Sequence, residues 1–387
     1  MAKRYLYKVF DRNNQYLTTW TDVTFQRFRK QINSGLGELQ LDLARKFDDF
    51  DEGASVDHGN IVEIWVVDRD TPARLIYSGY ISGYGPSIDG PTEHVSITCL
   101  GFLTLYAVLI YKNGTSVTLT RNSYDPSNIV KDIVDRVRAE YVDDVLATKI
   151  NYGANSIPLT GTTVSYTFTH MCLDALTKVQ ELAPSEWFFY VGADNILNFR
   201  QGDVVPTHTF TFKKDFKKID VFKNMEEVRN QLLFWNGRDS ADSAYLSRLY
   251  SNTTSKNNYG YRFEKATDGR VTLLTTADKW GNAFLAANKG IDIRASVEIL
   301  DNNLDETRGY DIESIEPGDT CRFANLPTSA SATFTENMLI TSVEYTPTSV
   351  VLEVESQGAA LERKLSKIKR DLEDQQYDNG QPNYTVV

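Results

Sequence analysis

The run Asp48-Asp49-Phe50-Asp51-Glu52 holds four carboxylates in five positions. Two carboxylates about 5 to 9.5 Å apart can cleave a glycosidic bond, one as acid and one as nucleophile or base. Closeness along the chain does not set that geometry. The run leads into Gly53-Ala54-Ser55, so it reads as a solvated loop. Asp49 and Asp51 also open like a calcium loop, but Gly53 and Ala54 at its fifth and sixth positions break the pattern. His58, His94, His170 and His208 lack any paired spacing, and Cys99, Cys172 and Cys321 contain no CxxC. This excludes the usual structural zinc signatures and a disulfide framework, and the thiols read as small buried residues. There is no phosphate-cradling GxxxxGK[ST] and no GxSxG elbow. Catalytic, metal and cofactor residues are therefore all expected to be absent.

One cationic stretch stands out, Lys213-Lys214-Asp215-Phe216-Lys217-Lys218 with Lys223 after it. Interleaved aromatics and lysines occur in single-strand nucleic-acid binders. Phe210 and Phe212 alternate into the stretch, which reads as a strand end with a solvated face, or else as a salt-sensitive docking face. The whole chain argues against a sequence-reading nucleic-acid binder. Lys plus Arg total 41 against 52 Asp plus Glu, a net charge of −11, and such a binder needs a basic face.

Elements must carry these residues. The 387 residues suggest several domains. The 21 Tyr, 19 Phe and 5 Trp suit pleated, half-buried surfaces. Val95 to Cys99 and Val351 to Glu355 alternate with period two, and Ile61 to Val67 is apolar on both faces. The fold class is thus mainly β, α+β overall. Asp125-Pro126 predicts a helix with stripe Ile129, Val130, Ile133, Val134 and Val137. Thr169 is the expected cap of a second, with stripe Cys172, Ala175, Leu176, Val179 and Leu182, ended by Pro184. Trp187–Val191 and Ile196–Phe199 predict two strands, and 276–289 a third helix. Near the end, Leu361, Leu365, Ile368 and Leu372 are spaced four, three, four, a short a/d seam. It packs on its own domain or against a neighbouring copy. The start, Met1 to Lys8, has no apolar core of a signal peptide, and the longest apolar run, Leu100 to Tyr111, is too short to span a bilayer. A soluble protein made in the cytoplasm, without membrane insertion, is expected.

An internal repeat is the most informative feature. Gly59-Asn60 and Gly318-Asp319 each open a segment with an isoleucine 22 residues after the glycine, Ile81 and Ile340. Val62 and Ile64 correspond to Cys321 and Phe323, and a turn then leads to Val95-Ser96-Ile97 or Leu352-Glu353-Val354. Two related β units, one in each half of the chain, are expected. A chain with two such units presents six around one axis if it closes as a trimer.

These segments resemble the baseplate and tail-tip hub proteins of tailed bacteriophages: the myophage central hub, and the N-terminal hub of siphophage tail-associated proteins. The likeness rests on 28–39 with Leu41-Asp42-Leu43, the strands from Gly59 to Gly101, and Asp174-Ala175-Leu176 with Trp187 to Phe199. It continues through Asn230, Trp235-Asn236-Gly237, 255–262 and Ile315-Glu316-Pro317-Gly318-Asp319. It implies two tube-type antiparallel β-barrels with a peripheral α+β domain and a C-terminal helix. The implied boundaries are 1–106 for the first barrel and 107–200 plus 241–306 for the peripheral domain. The second barrel is 201–240 plus 307–357, and a helix and tail occupy 358–387. The resemblance implies a homotrimeric structural hub at the tail tip of a virion, with no enzymatic activity and no cofactor. Its partners would be a distal-tail or tail-tube ring, the tape-measure protein, a fibre, spike or receptor-binding protein, and DNA in transit. Interface candidates are Leu361, Leu365, Ile368, Leu372, Lys213, Lys214, Lys217 and Lys218. The rival classes are a host-surface carbohydrate-binding or cell-wall-degrading β protein, and the hub of an injection system or gene transfer agent.

Overall fold

The computed structural model describes residues 3–34, 37–45, 55–67, 72–89, 92–184, 187–203, 205–226, 228–243, 245–267, 274–290, 292–301, 309–327 and 337–356. The Asp48–Glu52 run and the Leu361–Leu372 seam lie outside them. The protein is mainly β, as its alternating runs predict. Strands β1 (Arg4–Phe10), β2 (Tyr16–Trp20), β3 (Val23–Gln31), β4 (Gly37–Leu43), β5 (Ile61–Val67), β6 (Arg74–Asp89) and β7 (Thr92–Leu100) come first. Then follow β8 (Leu119–Tyr124), α1 (Pro126–Glu140), β9 (Val164–Phe168), α2 (Cys172–Leu182), β10 (Trp187–Val191) and β11 (Leu197–Gln201). Next are β12 (His208–Thr211), β13 (Phe216–Asn224), β14 (Gln231–Trp235), β15 (Ser247–Ser251), α3 (Thr253–Tyr259), β16 (Phe263–Thr267) and α4 (Leu274–Asn288). The last are β17 (Asp292–Leu300), β18 (Thr320–Ala324), β19 (Met338–Tyr345) and β20 (Ser349–Ser356).

The chain divides into two compact units, one of Met1–Ile219 with Ser296–Val354, the other of Asp220–Ala295 with Glu355 onward. In the first, the expected repeat is visible in the backbone. Both opening glycines have positive φ, +85° at Gly59 and +90° at Gly318. Gly59 N donates to Ile81 O (2.9 Å), and Ile81 N donates back to Asn60 O (2.8 Å). Gly318 N donates to Ile340 O (2.7 Å), and Ile340 N donates back to Asp319 O (2.9 Å). The same two-bond clasp therefore closes both copies, and the 22-residue spacing is its signature. Each copy is an antiparallel meander, β5-β6-β7 and β18-β19-β20.

The β3–β4 hairpin joins the copies. β4 pairs β7 of the first, with Leu39 opposite Cys99. β3 pairs β19 of the second, with Phe28 opposite Tyr345 and their rings stacked at 4.3 Å. One continuous strand order, β20-β19-β3-β4-β7-β6-β5-β1-β2, results. The copies differ at their outer neighbours, since β5 pairs β1 antiparallel and β18 pairs β12 parallel.

Residues between the copies build a helical core that also takes in Ile61 of β5. Asp125 caps α1 by accepting from Ser127 N at 2.8 Å, and the whole predicted stripe is buried. Asp125 also accepts from Thr160 N, Thr160 Oγ1 and Gly161 N, so it ties the 160–162 loop to the cap. Asp125→Ala should lower stability by about 1 to 2 kcal/mol, readable in urea unfolding, because several donors lose one acceptor. Helix α2 starts at Cys172 with Met171 as its cap, not at Thr169. The reason is a competing pairing: Tyr111 N bonds His170 O (3.1 Å) and Cys172 N bonds Leu109 O (2.7 Å). That bridge holds 170–172 extended. β10 and β11 pair antiparallel around Asn195, which has φ +62°.

In the second unit, β14 pairs β15 antiparallel and β16 parallel. Leu232, Phe234, Tyr250 and Ala266 form its core with Ala277, Phe284 and Leu285 of α4. Gly281 of α4 lies against Tyr250, 2.5 Å from where a Cβ would stand, so a small residue is required there. Sequence reading missed α3, a seven-residue helix with no apolar stripe, capped by Asn252 on Ser255 N.

Candidate functional site

The joined sheet presents one charged surface. Alternation along β3, β4 and β7 buries Phe28, Leu39, Leu41, Val95, Ile97 and Cys99. The opposite face carries Arg27, Arg29, Glu38, Gln40 and Asp42. Register sets Arg29 between Glu344 of β19 and Glu38 of β4, and Arg27 beside Gln40. Arg29 donates to Ser342 Oγ (2.9 Å) and Glu353 (3.0 Å), and Arg27 to Gln40 Oε1 (2.8 Å), with Glu344 at 3.6 Å. Asp42 accepts from Ser96 Oγ and has His94 Nε2 at 3.7 Å. These pairs are part-exposed, and such pairs are worth about 0 to 1 kcal/mol, so they add little to folding. Their effect is on the surface. Four carboxylates face two guanidiniums, and both guanidiniums already have carboxylate partners. A polyanion meets excess negative charge there.

Sequence reading did not bring two other polar groups together. His208 is buried, with Nδ1 2.9 Å from Tyr310 Oη and Nε2 3.0 Å from Asp319 Oδ2. Asp319 also receives Glu316 N (2.9 Å) and Arg200 Nη2 (3.4 Å). Both imidazole nitrogens are thus engaged. Cys321, beside His208 in the β12–β18 register, has its thiol pushed up by burial. The second group centres on Lys3, whose ammonium lies 3.0 Å from Asp301 and contacts Glu313, all three side chains being nearly inaccessible. Tyr5 Oη donates to Glu313 Oε1 at 2.7 Å. Burial, reinforced by Asp301, pushes the Glu313 carboxyl up, against the pull of Lys3 and Tyr5. The only sequence signal for the first group was the Pro-Gly-Asp turn, and the second had none.

The four lysine candidates do share one place. Lys213 and Lys214 form the turn before β13, with Lys213 at φ +67°, and Lys217 and Lys218 lie on β13. All four are exposed, and Lys214 is 3.9 Å from Asp215. β13 ends the strand order of the large sheet, and lysines on a terminal strand discourage stray pairing. The four seam candidates, Leu361, Leu365, Ile368 and Leu372, are not among the described residues. Asn230 and Asn236 prove structural: Asn230 bonds Gly260 O and Arg262 N, and Asn236 accepts from Leu246 N. Among the described residues no three His, Cys, Asp or Glu side chains form a metal cluster. No helix among them is long and apolar enough to cross a membrane. A cleft between Lys30, Tyr77, Phe102, Val191 and Pro317 encloses about 40 Å³, room for about three waters.

No protein-family model matches the sequence, and no curated protein matches it either. Solved structures do match, over nearly the whole chain. The 43 kDa tail protein of prophage MuSo2 from Shewanella oneidensis superposes with a TM-score of 0.64 at 11% identity, covering 92% of this chain and 99% of that one. The chain has the fold of phage tail proteins. A tail protein from Neisseria meningitidis gives 0.61 at 11% identity, covering 92% and 98%. Prophage tail protein gp18 from Listeria monocytogenes gives 0.56 at 11% identity, covering 95% and 99%. The tail-protein fold that the resemblance implied is the fold found.

Proposed function

We propose that this protein is the structural hub of a phage tail tip or baseplate, a homotrimeric ring that caps the tail tube. The observation that carries the reading is the pair of identically clasped meanders, stitched by β3–β4 into one sheet with a charged face. In a trimer, two related units per chain give six positions, which matches a threefold ring to a sixfold tube. The tail-protein fold supports the same reading. We place the Arg27–Glu353 face toward the channel through which the tape-measure protein and then DNA pass. Each meander would curl as a tube-type barrel, with 107–200 plus 241–306 as the peripheral domain. The ring would meet a distal-tail or tube ring on one side and a fibre, spike or receptor-binding protein on the other. No catalytic step is assigned.

Light scattering on the full-length chain should give about 131 kDa, three times 43.8 kDa. A monomer at every concentration would overturn the ring. The channel assignment has its own readout. The wild type should not retain short duplex DNA at low salt, whereas Glu38→Lys with Asp42→Lys and Glu353→Lys should retain it, more weakly as salt rises. DNA retention by the wild type would overturn the channel assignment. Specific capture on a glycan array would move the reading to the carbohydrate-binding rival.

A further inference from the structure

Among the described residues, the three-stranded sheet of the second unit buries one face under α4 and exposes the other. Register places Leu249, Leu233 and Lys265 side by side across β15, β14 and β16, with Phe263 beside Gln231. Leu249 is 55% exposed, Leu233 39% and Phe263 60%. Tyr261, 67% exposed, holds its ring parallel to Phe263 at 6.1 Å between centroids. The Lys265 ammonium lies 5.1 Å from the centre of the Trp235 ring. The outward positions of these strands include no carboxylate, in a chain that has 52. A contiguous apolar patch of this kind marks an interaction surface.

Charge indicates the occupant. A chain of net charge −11 presents much anionic surface to its own copies, whereas the outward positions of this face carry a lysine and no carboxylate. The turn after α1 has the complementary character. Val142 is 67% exposed, between Glu140 and Tyr141 on one side and Asp143 and Asp144 on the other. Asp143 is exposed. The turn is braced: Tyr141 Oη donates to Ile110 O (3.0 Å) and accepts from Ile110 N (3.1 Å), while Asp144 accepts from Leu146 N (3.1 Å). A fixed apolar tip rimmed by carboxylates loses little entropy on docking.

We propose that the outer face of β14, β15 and β16 receives the Tyr141–Asp144 turn of a second copy, with Val142 between Leu233 and Leu249 and Asp143 near Lys265. Two different patches meet, so the contact is head-to-tail and generates a ring when the rotation closes. The inference deepens the hub reading and relies on it only for the number three.

The test compares masses by light scattering at matched concentrations. Leu249→Glu and, separately, Val142→Glu should each convert the oligomer to monomer. Both residues are exposed, so unchanged circular dichroism and thermal melting should confirm intact folding. Lys265→Glu should weaken assembly at least tenfold, and Lys265→Glu with Asp143→Lys should restore it. An oligomer that survives Leu249→Glu or Val142→Glu overturns this contact and leaves the ring standing. Failure of the charge swap to rescue Lys265→Glu overturns the pairing of these two surfaces. A wild type that is monomeric throughout overturns the ring and the contact together.

Discussion

Gly318→Ala should cost about 3 kcal/mol and Gly59→Ala only about 1, although the two glycines close the same clasp. Both sit at positive φ, where an L side chain costs about 1 to 2 kcal/mol. The surroundings differ. A Cβ on Gly318 would stand 2.3 Å from the ring of Phe188, which is buried with Ile32, Tyr190 and Leu339. That ring cannot swing away, and overpacking adds about 1 to 3 kcal/mol. A Cβ on Gly59 would meet Leu146 and Arg12 at 3.6 and 3.7 Å, ordinary contacts. Urea unfolding of both variants, on one probe of the large sheet, gives the comparison. Equal losses would mean that Phe188 relaxes and that the second copy is no tighter than the first.

Lys3→Met should be more damaging, by about 3 to 5 kcal/mol, because it leaves two carboxylates buried without their cation. The pH dependence carries the sign. Without the ammonium, the folded pKa of Glu313 rises further above its unfolded value. A carboxyl with a raised folded pKa binds a proton more tightly when folded, so it gains stability as pH falls through that folded value. The gap between wild type and variant should therefore be widest near pH 8 and shrink toward pH 5. A gap constant across that range would mean that Lys3 contributes by packing alone. Asp132 behaves in the opposite sense. Burial alone would raise its pKa, but hydrogen bonds from Tyr111, Arg121 and Arg136 outweigh it and hold the carboxyl low. That contribution is present above the unfolded pKa and is lost as pH falls through the lower folded one.

What the sequence revealed and what it hid divide along sequence distance. The clasp is legible because positive φ favours glycine and because a meander of fixed strand lengths returns its isoleucine after a fixed count. The Asp125-Pro126 start is legible because a cap acts on the next residues along the chain. The Lys3 group is illegible: its members are 298 and 310 residues apart, and nothing local to Asp301 or Glu313 announces a cation. His208 meets Asp319 across a parallel β12–β18 pairing, whose register no turn dictates. The α2 start was misplaced for the same reason, since the pairing of 109–111 with 170–172 overrides a local capping preference. The charged face was half legible. Alternation announced it, but the hairpin that aligns Arg29 with Glu344 and Glu38 did not.

That hairpin also sets a timetable for synthesis. β3 leaves the ribosome early, yet its partner β19 lies more than 300 residues downstream. At about 5 to 20 residues per second, the wait lasts roughly 15 to 60 s. Once β7 has followed, the nascent chain holds a finished β4–β7 pairing beside an edge that still lacks β19. Premature release at that stage would free a sticky strand rather than a smaller working part, so full translation is a condition of solubility.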